Sequence, residues 1–268
     1  MRRINILWLA TLIGLGACGI LQRGPWASPA APHLAPTGKL RAAINLGNPI
    51  LATRIGTTEE LRGVSVDLAR ELAKRLGVPL ELVTYHAAGK VVEGVKTREW
   101  DVAFVAIDPA RAVDLAYTAP YVVIEGAYLV AQPSPLKDQA EVDRDGVRVV
   151  VAKGSAYDLY LTRQLKRAQI VRVATSPAVT DAMVAQRMEV AAGVRQQLEA
   201  DAKRIPGLRL LDGRFMVINQ AMAIPRGSEP GVRYLTEFIE EMKASGFVAQ
   251  ALVRHGIDGV SIAAPQGR

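Results

Sequence analysis

Three histidines and a single cysteine are the only residues of those two types in a chain of 268. His33 lies in a stretch rich in Pro and Ala, His86 follows the strand-like run PLELVTY (79–85), and His255 stands beside Gly256. No Cys/His or His/carboxylate spacing marks a metal site or a nucleophile with its base, so neither a metal nor another cofactor is expected. Gly14-x-Gly16-x-x-Gly19 matches a dinucleotide fingerprint in form only. It follows no strand and opens no helix of a βαβ unit, and the match is chance. A more informative spacing is Ser155-x-x-Asp158, a capping box that opens a helix.

Cys18 ends a run that begins Met1-Arg2-Arg3 and continues almost uncharged through residues 4–17. Basic residues before a short apolar run read as an export signal, and the run is too short for a spanning helix. Leu15-Gly16-Ala17-Cys18 resembles a bacterial lipobox, so residues 1–18 are expected to be a signal and Cys18 a lipidation site, giving a periplasmic, membrane-anchored lipoprotein. The alternative is an incidental Cys in a signal cut later. One cysteine makes no internal disulfide.

Whatever this chain does must be positioned by the elements that follow. Residues 24–38 are rich in Pro and Ala without periodicity, and residues 19–38 are expected to form a tether. From Lys39, short β-rich runs alternate with amphipathic segments: LRAAINL, then a helix with Leu68, Leu72 and Leu76 on one face and Gly77 as its stop, then PLELVTY, a helical stretch, and DVAFVAI. A second alternating set starts at VRVVVAK (147–153) and runs through QIVRVAT to VAAGVR, with helices at Ser155 and at Ser176-Pro177. These patterns predict an α/β fold with parallel or mixed sheets covered by helices. A last helix carries Val232, Leu235, Phe238, Ile239 and Met242 on one stripe. If that helix packs on the first set, the chain crosses between two lobes twice, forming a two-strand hinge. The expected division is 39–130 plus 222–268 for the first lobe and 131–221 for the second.

The formal net charge is +7 and half of the residues are hydrophobic. Loss of Arg2 and Arg3 with a signal removes two of those charges, and the remaining Lys and Arg are spread among acids. No basic run interleaved with aromatics points to nucleic acid. A mild bias toward anionic ligands is what the charge supports.

Two stretches carry a family resemblance: LRGVSVDLARELAKRLG (61–77) and WDVAFVAIDPAR (100–111), the latter continuing through AVDLAYTAPY to residue 121. With AKGSA (152–156) and AIPRG (223–227), the chain resembles the bacterial extracellular solute-binding proteins of family 3. These are amino-acid-type periplasmic receptors with the two-lobed type II fold and a ligand cleft between the lobes. The resemblance implies a monomer that binds a small anionic or zwitterionic solute and meets an ABC permease in the inner membrane.

It also implies site residues. The arginine matching Arg111 holds the ligand's carboxylate through two charge-assisted hydrogen bonds, a geometry that suits guanidinium; the alternative is a surface arginine paired to Asp108 or Asp114. Ser155 and Ala156 match the helix start that meets the same carboxylate, where unpaired N–H groups favour an anion. Asp108 belongs to the same expected set. Several positions depart from the family: Ala106 replaces a hydroxyl that receives the ligand's ammonium, with Phe104 two residues earlier. Val194 replaces an acidic ammonium partner and is followed by Arg195, and Val64 replaces the aromatic that covers the ligand. A buried ammonium without a carboxylate is costly, so an amine-free carboxylate fits better, with Arg195 available for a second anionic group.

Dehydratases of the cyclohexadienyl type share this fold and need a cleft acid, where this chain has Gln196 and Gln197. An amide is not a general acid, and an enzyme is not expected. Three readings stay open at this level: a transport receptor, a dehydratase-like enzyme, and a binding module working without a permease.

Overall fold

The computed structural model describes residues 28–56, 58 and 60–265. The signal, the glycine motif and Cys18 lie outside the described residues. The chain begins with α1 (Ala31–Leu34) and β1 (Leu40–Asn45), followed by a hairpin of β2 (Thr53–Arg54) and β3 (Leu61–Arg62). Next come α2 (Val64–Leu76), β4 (Leu80–Tyr85), α3 (Ala88–Glu93), β5 (Val102–Ala106) and a long β6 (Leu115–Ala131). The second set is β7 (Arg148–Ala152), α4 (Ala156–Gln164), β8 (Gln169–Val173), α5 (Ala178–Ala185), β9 (Val190–Val194), α6 (Arg195–Arg204) and β10 (Leu208–Leu210). The return is β11 (Met216–Pro225), α7 (Glu229–Ala244), α8 (Phe247–Arg254) and β12 (Ser261–Ile262).

The strands lie in the order β4-β1-β5-β11-β6-β9-β7-β8. β1 pairs in parallel with β4 and β5, and β7 pairs in parallel with β8 and β9, so each half is the βαβ arrangement read from the alternating runs. The two halves are joined by antiparallel strands. β6 pairs with β11 as far as Gly126 and with β9 from Gly126 onward, while β11 starts at Met216 opposite the same glycine. A Cβ at Gly126 would lie 2.7 Å from Met216 Cγ and 2.9 Å from Phe215 Cζ, so a larger residue would displace these two side chains where the strands exchange partners. Phe215 stacks on Tyr128 there, with centroids 4.4 Å apart.

The helices follow their apolar stripes. Leu68, Leu72 and Leu76 of α2 are fully buried, each contributing about 1.5–3 kcal/mol of transfer free energy. The helix stops at Gly77, whose φ of 69° is the left-handed conformation that favours glycine. Leu235, Phe238, Ile239 and Met242 of α7 are buried in the same way.

The Pro/Ala-rich stretch departs from the expected tether. From Ser28 onward it is part of the fold: Ala31, Leu34 and Ala35 are fully buried, and α1 packs on α7. Gly231 makes room for Leu34, since a Cβ there would lie 3.2 Å from Leu34 Cδ2. Small residues and prolines leave no periodic signature, yet they pack closely where the facing helix carries a glycine. No helix of the described residues is long and apolar enough to cross a membrane.

Candidate ligand-binding cleft

Arg111 is positioned by a turn at the end of β5. Asp108 accepts from the Ala110 backbone N–H through Oδ1 at 2.8 Å, and its carbonyl accepts from Arg111 N and Ala112 N. This turn folds the chain back, and Arg111 Nη1 donates to Ala106 O at 2.9 Å. Across the cleft, Gly154 has a φ of 71°, which directs the chain from β7 into α4. Gly154 N donates to Asp158 Oδ2 at 2.8 Å, and Asp158 N donates to Ser155 Oγ at 3.0 Å. The capping box read from the sequence therefore forms with one change: Asp158 receives the amide of Gly154 rather than that of Ser155.

The two lobes touch here. Arg111 Nη2 donates to Gly154 O at 2.9 Å, and a Cβ placed on Gly154 would lie 2.9 Å from Gly89 Cα. Arg111 is 3% exposed, and its Nε has no hydrogen-bond partner. Burial pushes the guanidinium pKa down, with Tyr117 and Asp108 acting the other way. Tyr117, beside it, is pushed up to about 12, mainly by its own burial.

A cavity of about 40 Å³ lies at this junction. The first lobe lines it with Asn45 at the end of β1, Gly47 and Asn48 in the loop after it, Ala88 at the start of α3, Val105 and Ala106 at the end of β5, and Arg111 from the following turn. The second lobe supplies Ser155, Ala156, Tyr157, Ser176 and Val194, and β11 adds Ile218 and Gln220. Asn48 is buried and its Oδ1 has no partner, while Tyr157 donates its hydroxyl hydrogen to Ser176 Oγ at 2.8 Å. A larger opening of about 480 Å³, bounded by Arg62, Gln196, Glu199 and His255, shares no residue with this cavity. The small one is the candidate site because both lobes and the buried arginine converge on it.

Of the expected site residues, Arg111, Ser155, Ala156, Ala106 and Val194 line the cavity, and four do not. Phe104 is buried in the core edge-on to Tyr121, and Val64 is buried at the start of α2, away from the cleft. On the first-lobe side the cavity is lined instead by Ala88 at the start of α3. Asp108 does not pair with Arg111 or face the cavity; its carboxylate is held by Arg163 of α4, at 2.7 Å to Oδ2 and 3.3 Å to Oδ1. Arg195 is not free for a ligand: it donates to Glu125 Oε2 at 2.8 Å and to Gly213 O, and Glu125 is shared with Arg214. Gln196 turns away as well, donating to Gly259 O at 2.6 Å. Asn45, Asn48, Tyr157, Ser176 and Gln220 went unforeseen. The one available signal was the polar pair Asn45 and Asn48 at and just after the end of an apolar strand.

The solute receptor for L-cysteine of Neisseria gonorrhoeae superposes with a TM-score of 0.74 at 22% identity, covering 86% of this chain and 94% of that one. An amino acid ABC transporter substrate-binding protein from Streptococcus pneumoniae bound to L-arginine gives 0.72 at 18%, covering 87% and 99%. The ancestral amino acid-binding protein AncCDT-1, a precursor of cyclohexadienyl dehydratase, gives 0.69 at 19%, covering 81% and 94%. At such identities these likenesses establish the two-lobed type II binding-protein fold. No curated protein sequence matches the chain. The profile of the bacterial extracellular solute-binding proteins, family 3, matches residues 40–256. The chain belongs to that family.

Proposed function

We propose that the protein captures a small carboxylate-bearing solute between its lobes and presents the closed form to an ABC permease. One observation carries this reading: a buried arginine whose Nε lacks a partner lines a cavity closed by the first turn of α4. Leaving a buried donor unpaired costs about 1–3 kcal/mol, more for a charged group, and a ligand oxygen removes that cost. The two terminal nitrogens are held by Ala106 O and Gly154 O, which fixes the plane of the guanidinium and leaves Nε as the donor for a ligand oxygen.

The relatives named above bind amino acids, and this site differs from an ammonium pocket. Its lining offers amides and hydroxyls from Asn45, Asn48, Ser176 and Gln220 and no carboxylate. An ammonium transferred there would lack a counter-charge. The reading is therefore a compact acid whose second polar group is neutral. The lining also holds no carboxylic acid or imidazole to move a proton, which favours a receptor over a dehydratase. Closure pivots where β6 and β11 exchange partners, at Gly126 and Met216, rather than at the expected borders near residues 130 and 221. The same proposal includes a monomer working outside the cytoplasm, held to the membrane by a lipid on Cys18.

The test is thermal unfolding of the full-length chain in mild detergent against α-amino acids, their deaminated and hydroxy analogues, dicarboxylates and small aromatic acids. At a hundredfold excess over Kd a ligand stabilises by about 2.7 kcal/mol. For a chain of this size that raises Tm by about 5–10 °C. The expected result is a rise with compact amine-free acids that Arg111→Ala abolishes. A rise confined to α-amino acids overturns the amine-free reading, and no rise with any of these acids overturns the carboxylate reading.

A further inference from the structure

Three contacts join the lobes along one edge of the cleft: Gly89 against Gly154, Arg111 with Gly154 O, and Arg163 with Asp108. The third differs in kind. Asp108 belongs to the turn after β5 in the first lobe and Arg163 to the last turn of α4 in the second, and neither lines the cavity. We propose that Asp108 and Arg163 form a latch that holds part of the population closed before solute arrives, so that they set affinity without touching the solute.

Several observations support this. The guanidinium approaches both carboxylate oxygens, at 2.7 and 3.3 Å, the paired geometry that gives charge-assisted bonds their strength. The Asp108 side chain is 4% exposed, so most of the water around this carboxylate is gone once the lobes meet, and the pair is screened less than a surface one. Asp108 is also fixed from its own side, because Oδ1 accepts from Ala110 N; its position is set by the turn before Arg163 reaches it. Arg163 is 41% exposed, and Asp108 is its carboxylate partner across the cleft. When the lobes separate, the contact breaks and both groups return to water. The interaction thus belongs to the closed form alone, which is the requirement for shifting a two-state equilibrium. A latch of this kind raises the apparent affinity for every solute by one common factor, because only closed molecules grip.

The inference rests on the reading that the lobes open and close, and its test needs no solute. The chain has one cysteine, so Cys18→Ser gives a background for paired labels. Lys74 on α2 and Lys203 on α6 are both exposed and lie in different lobes. Dyes at Lys74→Cys and Lys203→Cys of the full-length chain in detergent report lobe distance by single-molecule energy transfer. Two populations are expected without solute, with the closed-to-open ratio falling about fivefold in Arg163→Ala and partly restored in Arg163→Lys. Salt near 1 M, where the screening length is about 3 Å, lowers the ratio in the parent protein and leaves Arg163→Ala unchanged. Adding Asp108→Asn to Arg163→Ala produces little further loss. A parent protein that is open throughout, or equal ratios in parent and Arg163→Ala with helix content and Tm retained, overturns the latch. Neither result bears on which solutes raise Tm in the screen, so the two proposals fail separately.

Discussion

Replacing Gly89 by alanine sets two effects of opposite sign against each other. Gly89 lies in the first turn of α3, where alanine is favoured by roughly 0.5–1 kcal/mol over glycine in a helix. The same methyl group would stand 3.3 Å from Gly154 Cα and 3.4 Å from Lys153 O, both atoms of the opposite lobe's backbone. Neither neighbour is the end of a flexible side chain, so relief requires the lobes to part by a few tenths of an ångström. That movement stretches the 2.9 Å bond from Arg111 to Gly154 O and loosens the cavity wall. Overpacking of this kind costs typically about 1–3 kcal/mol, and a rotating lobe keeps it near the lower end. A loss of 1 kcal/mol from the closed form is about fivefold in affinity. Gly89→Ala is therefore expected to melt at the same temperature as the parent or slightly higher without solute, while binding about fivefold more weakly to any solute found by screening. Calorimetry and titration on the same sample measure both. Gly154→Ala is the counterpart: at a φ of 71° it strains both open and closed forms, so stability and affinity fall together. Unchanged affinity in Gly89→Ala, or a fall in Tm matching the fall in affinity, would refute the argument that these glycines meet only on closure.

Three further outcomes follow from contacts described above. Leu34→Ala removes a fully buried side chain between α1 and α7 and is expected to cost about 2–5 kcal/mol in denaturant unfolding; a free tether would show no change. Ser155→Ala deletes the acceptor for Asp158 N and is expected to lower stability by about 1 kcal/mol, read as a drop in Tm, with weaker solute binding from a loosened α4 start. The Arg214 guanidinium, joined by Arg195, holds the Glu125 carboxyl below its ordinary value. A carboxylate with a depressed folded pKa stabilises the fold above its unfolded pKa, about 4.3 for Glu, and that contribution fades as pH falls through the lower folded value. Acid unfolding should therefore show a less steep loss of stability below about pH 4.3 in Glu125→Gln than in the parent.

What the sequence revealed and what it hid divide along physical lines. The β runs, the leucine face of α2 and the stripe of α7 were legible because periodicity reports directly on burial. Arg111 and the helix start at Ser155 were singled out through a family likeness concentrated in the turn after β5 and the loop before α4, and both line the cavity. Val64 and Phe104 were misplaced because apolar side chains near a motif read alike whether they face a cleft or a core. Arg195 follows Val194, which does line the cavity, yet it is captured by Glu125, an acid 70 positions away that no local spacing connects to it. Asn48, Ser176 and Gln220 come from three separate segments and converge only through the sheet order. The packed segment before β1 was missed because alanine and proline give no pattern, whichever side of the surface they occupy.

The docking of α1 on α7 has a mechanical consequence. The described chain enters the fold on α7, and its last strand, β12, rests on Val122 and Val123 of β6. Both ends of the described chain are thus fastened to the first lobe, and the second is an insertion whose covalent links to it are the two strands that leave and return. Tension applied between the two ends of the described chain travels through α1, α7 and the edge of β6 and bypasses β7 and β8. The second lobe lies outside that line of force, so what limits its swing is the set of contacts across the cleft and not the load.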